Sequence, residues 1–480
     1  MRTSPWTISR NPITNHVGST ISFTATSGDL PLDGYGYFIQ NHPLALDQIG
    51  EWAYDPSTKK IRIFFGATNP TNRLIQISAI ESLFTMKGTG HLSVNNLSFR
   101  GPNADAFRIF EAPGVSVKNC EIIGTGDYAF VSTNSPNLQI EGVNARDMNN
   151  GFLQVTGGNA NSVTRGNDVR NSGAHPGMGI SPNYIAISIS GSSGSIIAEN
   201  RISNVGYNAI HFMFGNNYDI SRNYIDTFCI QKDDGGGIYT WNGGDKPTPY
   251  SGIKIHDNIV LNGRAAVDGR PEKLYYPAYG IYMDDNSTGV EISGNTVANI
   301  AGSGIFIHNS SALKITGNLV YNAGNSLADE ASVGQIQFLG NSGTFPLRDI
   351  GLSGNTFVSR AANQIVLKWD TNFNDIKLFG SAASNIYARP IDDNLVARII
   401  ASGTAPFYSV AGWQAYSGTD AGSKKSAASV TNVNQLRFEF NDSSLPRTIP
   451  LERKYLGVDG TPYSGSFVLA PFRSVVLIEQ

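Results

Sequence analysis

Hydrophobic residues along this sequence fall in short runs of three to five, each stopping at a turn residue. Aligning the runs exposes a repeat: Val115-Ser-Val-Lys-Asn119, Ile196-Ile-Ala-Glu-Asn200, Ile220-Ser-Arg-Asn223, Ile255-His-Asp-Asn258, Ile292-Ser-Gly-Asn295, Ile315-Thr-Gly-Asn318 and Leu352-Ser-Gly-Asn355. Asn96 and Asn167 extend the series toward the N-terminus. The interval is 23 residues from Asn96 to Asn119, from Asn200 to Asn223 and from Asn295 to Asn318, and 33 to 37 where a coil carries an insertion. A period near 23 suits one coil of a solenoid, three short strands separated by turns. Asn is the expected turn residue because it tolerates the left-handed conformation, and stacked side-chain amides can form a ladder.

A second alternating strand follows each asparagine: Ala209-Ile-His-Phe-Met-Phe214, Gly237-Ile-Tyr-Thr-Trp241, Gly280-Ile-Tyr-Met-Asp284, Gly304-Ile-Phe-Ile-His308, Gln335-Ile-Gln-Phe-Leu339 and Gln364-Ile-Val-Leu-Lys368. Strand alternation turns these into a surface map. Ile210/Phe212, Ile238/Thr240, Ile281/Met283 and Ile305/Ile307 point inward. His211, Tyr239, Tyr282 and Phe306 form one outward column, and Met213, Trp241, Asp284 and His308 the next. The predicted class is all-β, a right-handed parallel β-helix over residues 75–395. Residues 1–74 form a flanking β region in which 50–63 reads as a hairpin around Pro-Ser-Thr. Residues 396–480 form a small C-terminal β module.

Composition agrees with repetitive β structure: of 480 residues 52 are Gly and only 15% are charged. The net charge of −3 and pI near 6.2, without a basic stripe, exclude nucleic acid as an expected partner. No run approaches the ~20 apolar residues of a membrane span, so no membrane insertion is expected. The N-terminus lacks a signal-peptide core. Cys120 and Cys229 sit about four coils apart, roughly 19 Å at ~4.8 Å per coil, and are expected as free buried thiols.

The aromatic outward columns suit the C–H faces of sugar rings, and long insertions around 168–185, 242–252, 262–278 and 322–334 flank that face. Asp284, between Trp241 and His308, is the first candidate catalytic group. Desolvation by the indole would raise its carboxyl and suit a general acid; a charged His308 would oppose that. Lys232-Asp233-Asp234 precedes three glycines that permit sharp backbone geometry. Asp234 or Asp233 is the candidate second carboxylate, although Asp234 stands seven positions before the equivalent of Asp284. Asp245, Asp268 and Glu272 are alternatives. His211, Tyr239, Trp241 and Tyr282 are candidate sugar platforms. Arg264 and Arg270 are candidate contacts for acidic groups, with Lys232 and Tyr276 beside them.

The segments 233–241 and 279–289 resemble secreted right-handed β-helix proteins that degrade polysaccharides, including the β-helix glycoside hydrolases with fucosidase and xylanase activities. Gly50-Glu-Trp-Ala-Tyr-Asp-Pro56 and Leu469-Ala-Pro-Phe-Arg-Ser-Val-Val-Leu477 resemble parts of the same proteins. The resemblance implies a pair of catalytic Asp residues, carried here to Asp234 (or Asp233) and Asp284. It also implies a plant or algal glycan substrate, a secreted, periplasmic or cell-surface location, and a fold whose upstream part is absent from this sequence. A monomer without cofactor is expected. Two other readings stand beside the hydrolase. One is a uronate lyase or epimerase using Lys232, Arg264 or His308, with Ca²⁺ or Arg neutralising the substrate. The other is a non-catalytic carbohydrate-binding β-helix.

Overall fold

The computed structural model describes residues 1–26, 28, 30–179, 183–243, 248–271, 277–325 and 333–480. Each coil gives one strand to each of three parallel sheets, one of 13 strands and two of 11. In the first sheet the parallel stack runs from Phe84–Lys87 to Ala397–Ala401, where Phe407–Tyr408 adds an antiparallel edge. The alternation read from the sequence sets what faces inward. Ile210, Ile238, Ile281, Ile305 and Ile336 lie in register on successive coils, and none is exposed. Fully burying such a side chain contributes roughly 1.5–3 kcal/mol, and stacking repeats that gain coil after coil. Both cysteines are free and buried.

The corner between the second and third sheets carries the asparagine ladder. Asn167, Asn200, Asn223, Asn258, Asn295, Asn318, Asn355 and Asn385 are all buried. Each amide works in two directions. Asn258 Nδ2 donates to Asn295 Oδ1 at 2.9 Å and to the Ile220 carbonyl at 2.8 Å. Its Oδ1 accepts from the backbone N and the Nδ2 of Asn223 at 3.0 and 2.9 Å. One expectation needs correcting. The left-handed residue is not the ladder asparagine but the residue before it: Gly166, Glu199, Arg222, Asp257, Gly294, Gly317 and Gly354 all have φ between 53° and 64°. The sharp turn points that residue outward and the following Asn inward. Asn96 and Asn119 occupy the turn slot itself, with φ of 58° and 51°, so Cys120 takes the inward position in its coil.

The ladder ends on a built cap. Asn385 Nδ2 donates to Asp420 Oδ1 at 3.1 Å, and Tyr387 and Trp413 donate to Asp420 Oδ2 at 2.7 and 2.8 Å. Trp413 lies on helix α1 (Val410–Ser417), capped by Ser409 and by left-handed Gly418, and stacks near Trp369 and Phe379 at the end of the core. The antiparallel C-terminal strands pack on the third sheet, with Tyr321 stacked on Phe438 at 5.1 Å and Arg473 donating to the Gly294 carbonyl at 3.0 Å. At the other end, Trp52–Asp55 and Lys60–Ile63 pair as the expected hairpin, its turn tied by Asp55 to Ser57 and Thr58. Among the described residues, no helix is long and apolar enough to cross a membrane.

Candidate active site

Four strands of the first sheet build the candidate site: Ile210–Met213, Gly235–Trp241, Ala278–Asp284 and Ile305–His308. Their register matches the sequence map, with His211 opposite Tyr239, Tyr239 opposite Tyr282, Tyr282 opposite Phe306 and Trp241 opposite Asp284. Asp284 is half-buried. Its Oδ2 accepts from the Tyr239 hydroxyl at 3.0 Å, and its Oδ1 accepts from the Asp285 backbone N at 2.9 Å and meets His308 Nδ1 at 2.7 Å. Accepting at both oxygens is the bonding of an ionised carboxylate. Burial works against a charge on His308, but the hydrogen bond and charge of Asp284 outweigh it and hold the imidazole above its ordinary value.

Asp234 reaches this group through a turn that an extended strand would not make. Its backbone is left-handed, with φ of 56°. The Tyr207 hydroxyl donates to the Asp234 carbonyl at 2.8 Å, and the next coil edge is pinned where the Gly236 N–H donates to Asn208 Oδ1 at 2.7 Å. A Cβ at Gly235 would lie 2.4 Å from the Tyr207 ring, so the close approach that fixes the turn requires glycine there. The carboxyl is thereby folded back over the strand. Burial pushes it up to about 7, the charge of Asp284 adds to the rise, and His308 and a hydrogen bond from Tyr282 oppose it. Asp234 and Asp284 thus share one electrostatic site, each held by a neighbouring tyrosine. Tyr239 and Tyr282 are 5.1 Å apart, edge to face.

Asp233 and Lys232 occupy different surroundings from those expected. Asp233 is fully buried. Arg2 and Arg270 pair with its Oδ2 at 3.2 and 2.9 Å, and the Ala266 N–H donates to its Oδ1 at 2.5 Å. Burial still pushes its carboxyl up, to about 6, against both guanidiniums. Its contacts tie the N-terminal strand and the 264–271 loop to the site, and none reaches the outward face. Arg270, expected as a sugar contact, is engaged in the same pairing. Lys232 is buried, with Nζ 4.8 Å from the Tyr207 ring centre and 5.4 Å from that of Tyr184; burial lowers it to about 7.

The aromatic column is also more covered than an exposed platform. Tyr282 and Phe306 are 3% exposed, because Tyr279 packs on both, at 4.8 and 4.4 Å. Tyr282 therefore faces outward yet serves to hold Asp234. His211 has no hydrogen-bond partner at either ring nitrogen, stands 5.0 Å from Tyr239, and burial lowers it to about 4, which keeps it neutral. The open aromatic surface is Trp241 with Phe214, 6.2 Å apart and edge to face, Phe214 being half exposed. Phe214 was not singled out from the sequence, although it ends a quoted strand; its left-handed φ of 52° turns it outward. Arg264 is exposed. Tyr276, like Asp245 and Glu272, lies outside the described residues. One ligand atom each of Asp284, Asp285 and His308 lie within 4.8 Å of one another, so these residues could together hold a metal ion.

Comparison with known proteins bears on the architecture. No curated protein matches the sequence. Among solved structures, the chain is similar to the A-module of mannuronan C-5 epimerase AlgE4 of Azotobacter vinelandii, at 10% identity and a TM-score of 0.40, covering 74% of this chain and 90% of that one. It is also similar to DFA-IIIase from Arthrobacter chlorophenolicus A6 in complex with DFA-III, at 10% identity and a TM-score of 0.27, covering 74% and 84%. Residues 82–260 and 177–343 match the profile of the right handed beta helix region, which together is more than half of the sequence. The chain belongs to the right-handed β-helix family.

Proposed function

We propose that the protein is a glycoside hydrolase acting on a polysaccharide or oligosaccharide through the carboxylates of Asp234 and Asp284. The supporting observation is the inequality of the two groups. Asp234 is pushed up to about 7 and holds its proton near neutrality, whereas Asp284 accepts hydrogen bonds at both oxygens. Pairs of titratable groups whose surroundings drive them apart mark acid and base assignments. Asp234 is then the general acid that protonates the departing glycosidic oxygen. Asp284 is the nucleophile or the base that activates water. This reverses the assignment drawn from sequence, in which Trp241 was to raise Asp284. Tyr239 and His308 hold the Asp284 carboxylate, and Trp241 with Phe214 offers the open face on which a sugar ring can lie.

The uronate lyase or epimerase reading is favoured by a separate observation, the Asp284, Asp285 and His308 donors that could together hold a divalent cation. Product chemistry decides between the two. A hydrolase releases new reducing ends without unsaturation and is insensitive to EDTA; a lyase leaves an ultraviolet-absorbing unsaturated uronate. A screen of neutral and acidic glycans read for both products tests the proposal. Unsaturated product from the active glycan would overturn it.

A further inference from the structure

A cavity of about 280 Å³ opens beside the 264–271 loop, with Asn262, Arg264, Arg270 and Asn299 among its lining residues. It lies at the corner where each coil passes from the third sheet into the first. That corner has its own column of left-handed residues, including Asn171, Asn204, Asn262, Asn299 and Asn322. Their amides link coil to coil: Asn204 donates to Asn171 at 2.7 Å, Asn262 to Asp226 at 2.6 Å and Asn322 to Asn299 at 2.8 Å. Between Asn262 and Asn299 the links stop, although the strands before them remain in register. Among the described residues, Asn262 Oδ1 and Asn299 Nδ2 have no hydrogen-bond partner, and both residues line the cavity.

The break leaves an acceptor and a donor about one coil apart, roughly 4.8 Å. Vicinal hydroxyls can satisfy both. The charge around them is positive. Arg2 and Arg270 share the single carboxylate of Asp233, and Arg264 is exposed with no ion pair among the described residues. A guanidinium reads a carboxylate in two-pronged fashion, which a neutral sugar cannot match. The volume is at the low end of the roughly 300–1,000 Å³ of ligand pockets, a size for one ring rather than a chain.

We propose that this cavity is a binding subsite for a sugar acid, with the carboxylate on Arg264 and ring hydroxyls bridging Asn262 and Asn299. The ligand class rests on the carbohydrate reading above; the subsite does not depend on turnover at Asp234 and Asp284. Isothermal titration with D-glucuronate and D-galacturonate tests it, with D-glucose, D-galactose, acetate and sulfate as comparators. The uronates are expected to bind at least ten-fold more tightly than any comparator. Arg264→Ala should weaken them ten-fold or more, and so should Asn299→Asp, which keeps the left-handed residue and its link to Asn322 but replaces the donor with a charge. Asp284→Asn should bind as the parent does. Uronate affinity unchanged in Arg264→Ala, or equal binding of the parent sugars, overturns the proposal. Equal binding of acetate and sulfate does so too, since the amides would then read nothing. Uronate binding lost in Asp284→Asn but kept in Arg264→Ala would move the ligand to the carboxylate pair and also overturn it. Absence of hydrolysis with these binding results intact would count against the hydrolase reading alone.

Discussion

Two columns of polar side chains run up this solenoid, and they differ in what they leave undone. In the asparagine corner every amide from Asn200 to Asn355 is buried and bonded on both sides, to the coils before and after. On the outward face of the first sheet the repeat gives way to unlike groups: a neutral histidine without partners, two tyrosines, and two carboxyls whose charges bear on each other. A satisfied column holds coils together. An unsatisfied one carries half-exposed groups whose protonation the fold has changed, the mark of a site. Substitutions in the two columns should therefore fail in opposite ways.

The largest effect is expected on turnover. Asp284→Asn and Asp234→Asn should each lower kcat/KM on an active glycan by at least about 10³-fold, about 4 kcal/mol of barrier, with thermal unfolding close to that of the parent. Asn258→Leu should do the reverse. It strands the Ile220 carbonyl, Asn295 Oδ1 and two donors of Asn223 in the interior, and should cost roughly 3 kcal/mol of stability in chemical denaturation. Activity per folded molecule should stay within about two-fold. Equal loss of activity and stability in either set would erase the distinction between the columns.

The next effect is a pH limb. A general acid at about 7 is protonated below that pH and loses its proton above it, so kcat/KM should fall about ten-fold per pH unit on the alkaline side of 7. A profile flat from pH 7 to 9 would remove Asp234 from the acid role. The smallest effect belongs to the aromatic surface. Trp241→Ala should raise KM by about ten-fold, near 1.4 kcal/mol, with kcat little changed, because it removes binding common to ground and transition states.

Much of this was legible in the sequence, within a limit that the particular residues define. Period-two alternation placed Tyr239 on Tyr282 and Trp241 on Asp284, and the structure has both pairs in register. Alternation says which side of a sheet a residue takes, not what later covers that side. It could not foresee Tyr279 closing over Tyr282, or Arg2 reaching Asp233 across 231 residues of sequence. Nor does an Asn-rich period reveal which of two adjacent residues turns left-handed. The fold-back of Asp234 is hidden for the same reason. The signal was present in three consecutive glycines after two aspartates, but its meaning depends on Tyr207 and Asn208 one coil away. The N-terminal region lacks any such repeat. Among described residues 11–85 only Ala53 is buried, while Leu44 and Leu74 are 91% and 87% exposed, so its hairpin was readable but its packing was not.

The central claim is that Asp234 and Asp284 act on each other, and it can be measured without knowing the substrate. Carboxyl ¹³C shifts of the aspartates, followed by NMR against pH in the parent and in Asp284→Asn, report it directly. Asp234, identified by the signal missing from Asp234→Asn, should titrate near 7 in the parent. Its midpoint should fall in Asp284→Asn, because removing the neighbouring charge removes one cause of the rise. A midpoint in the ordinary carboxylate range near 4, the same in both proteins, would contradict the account.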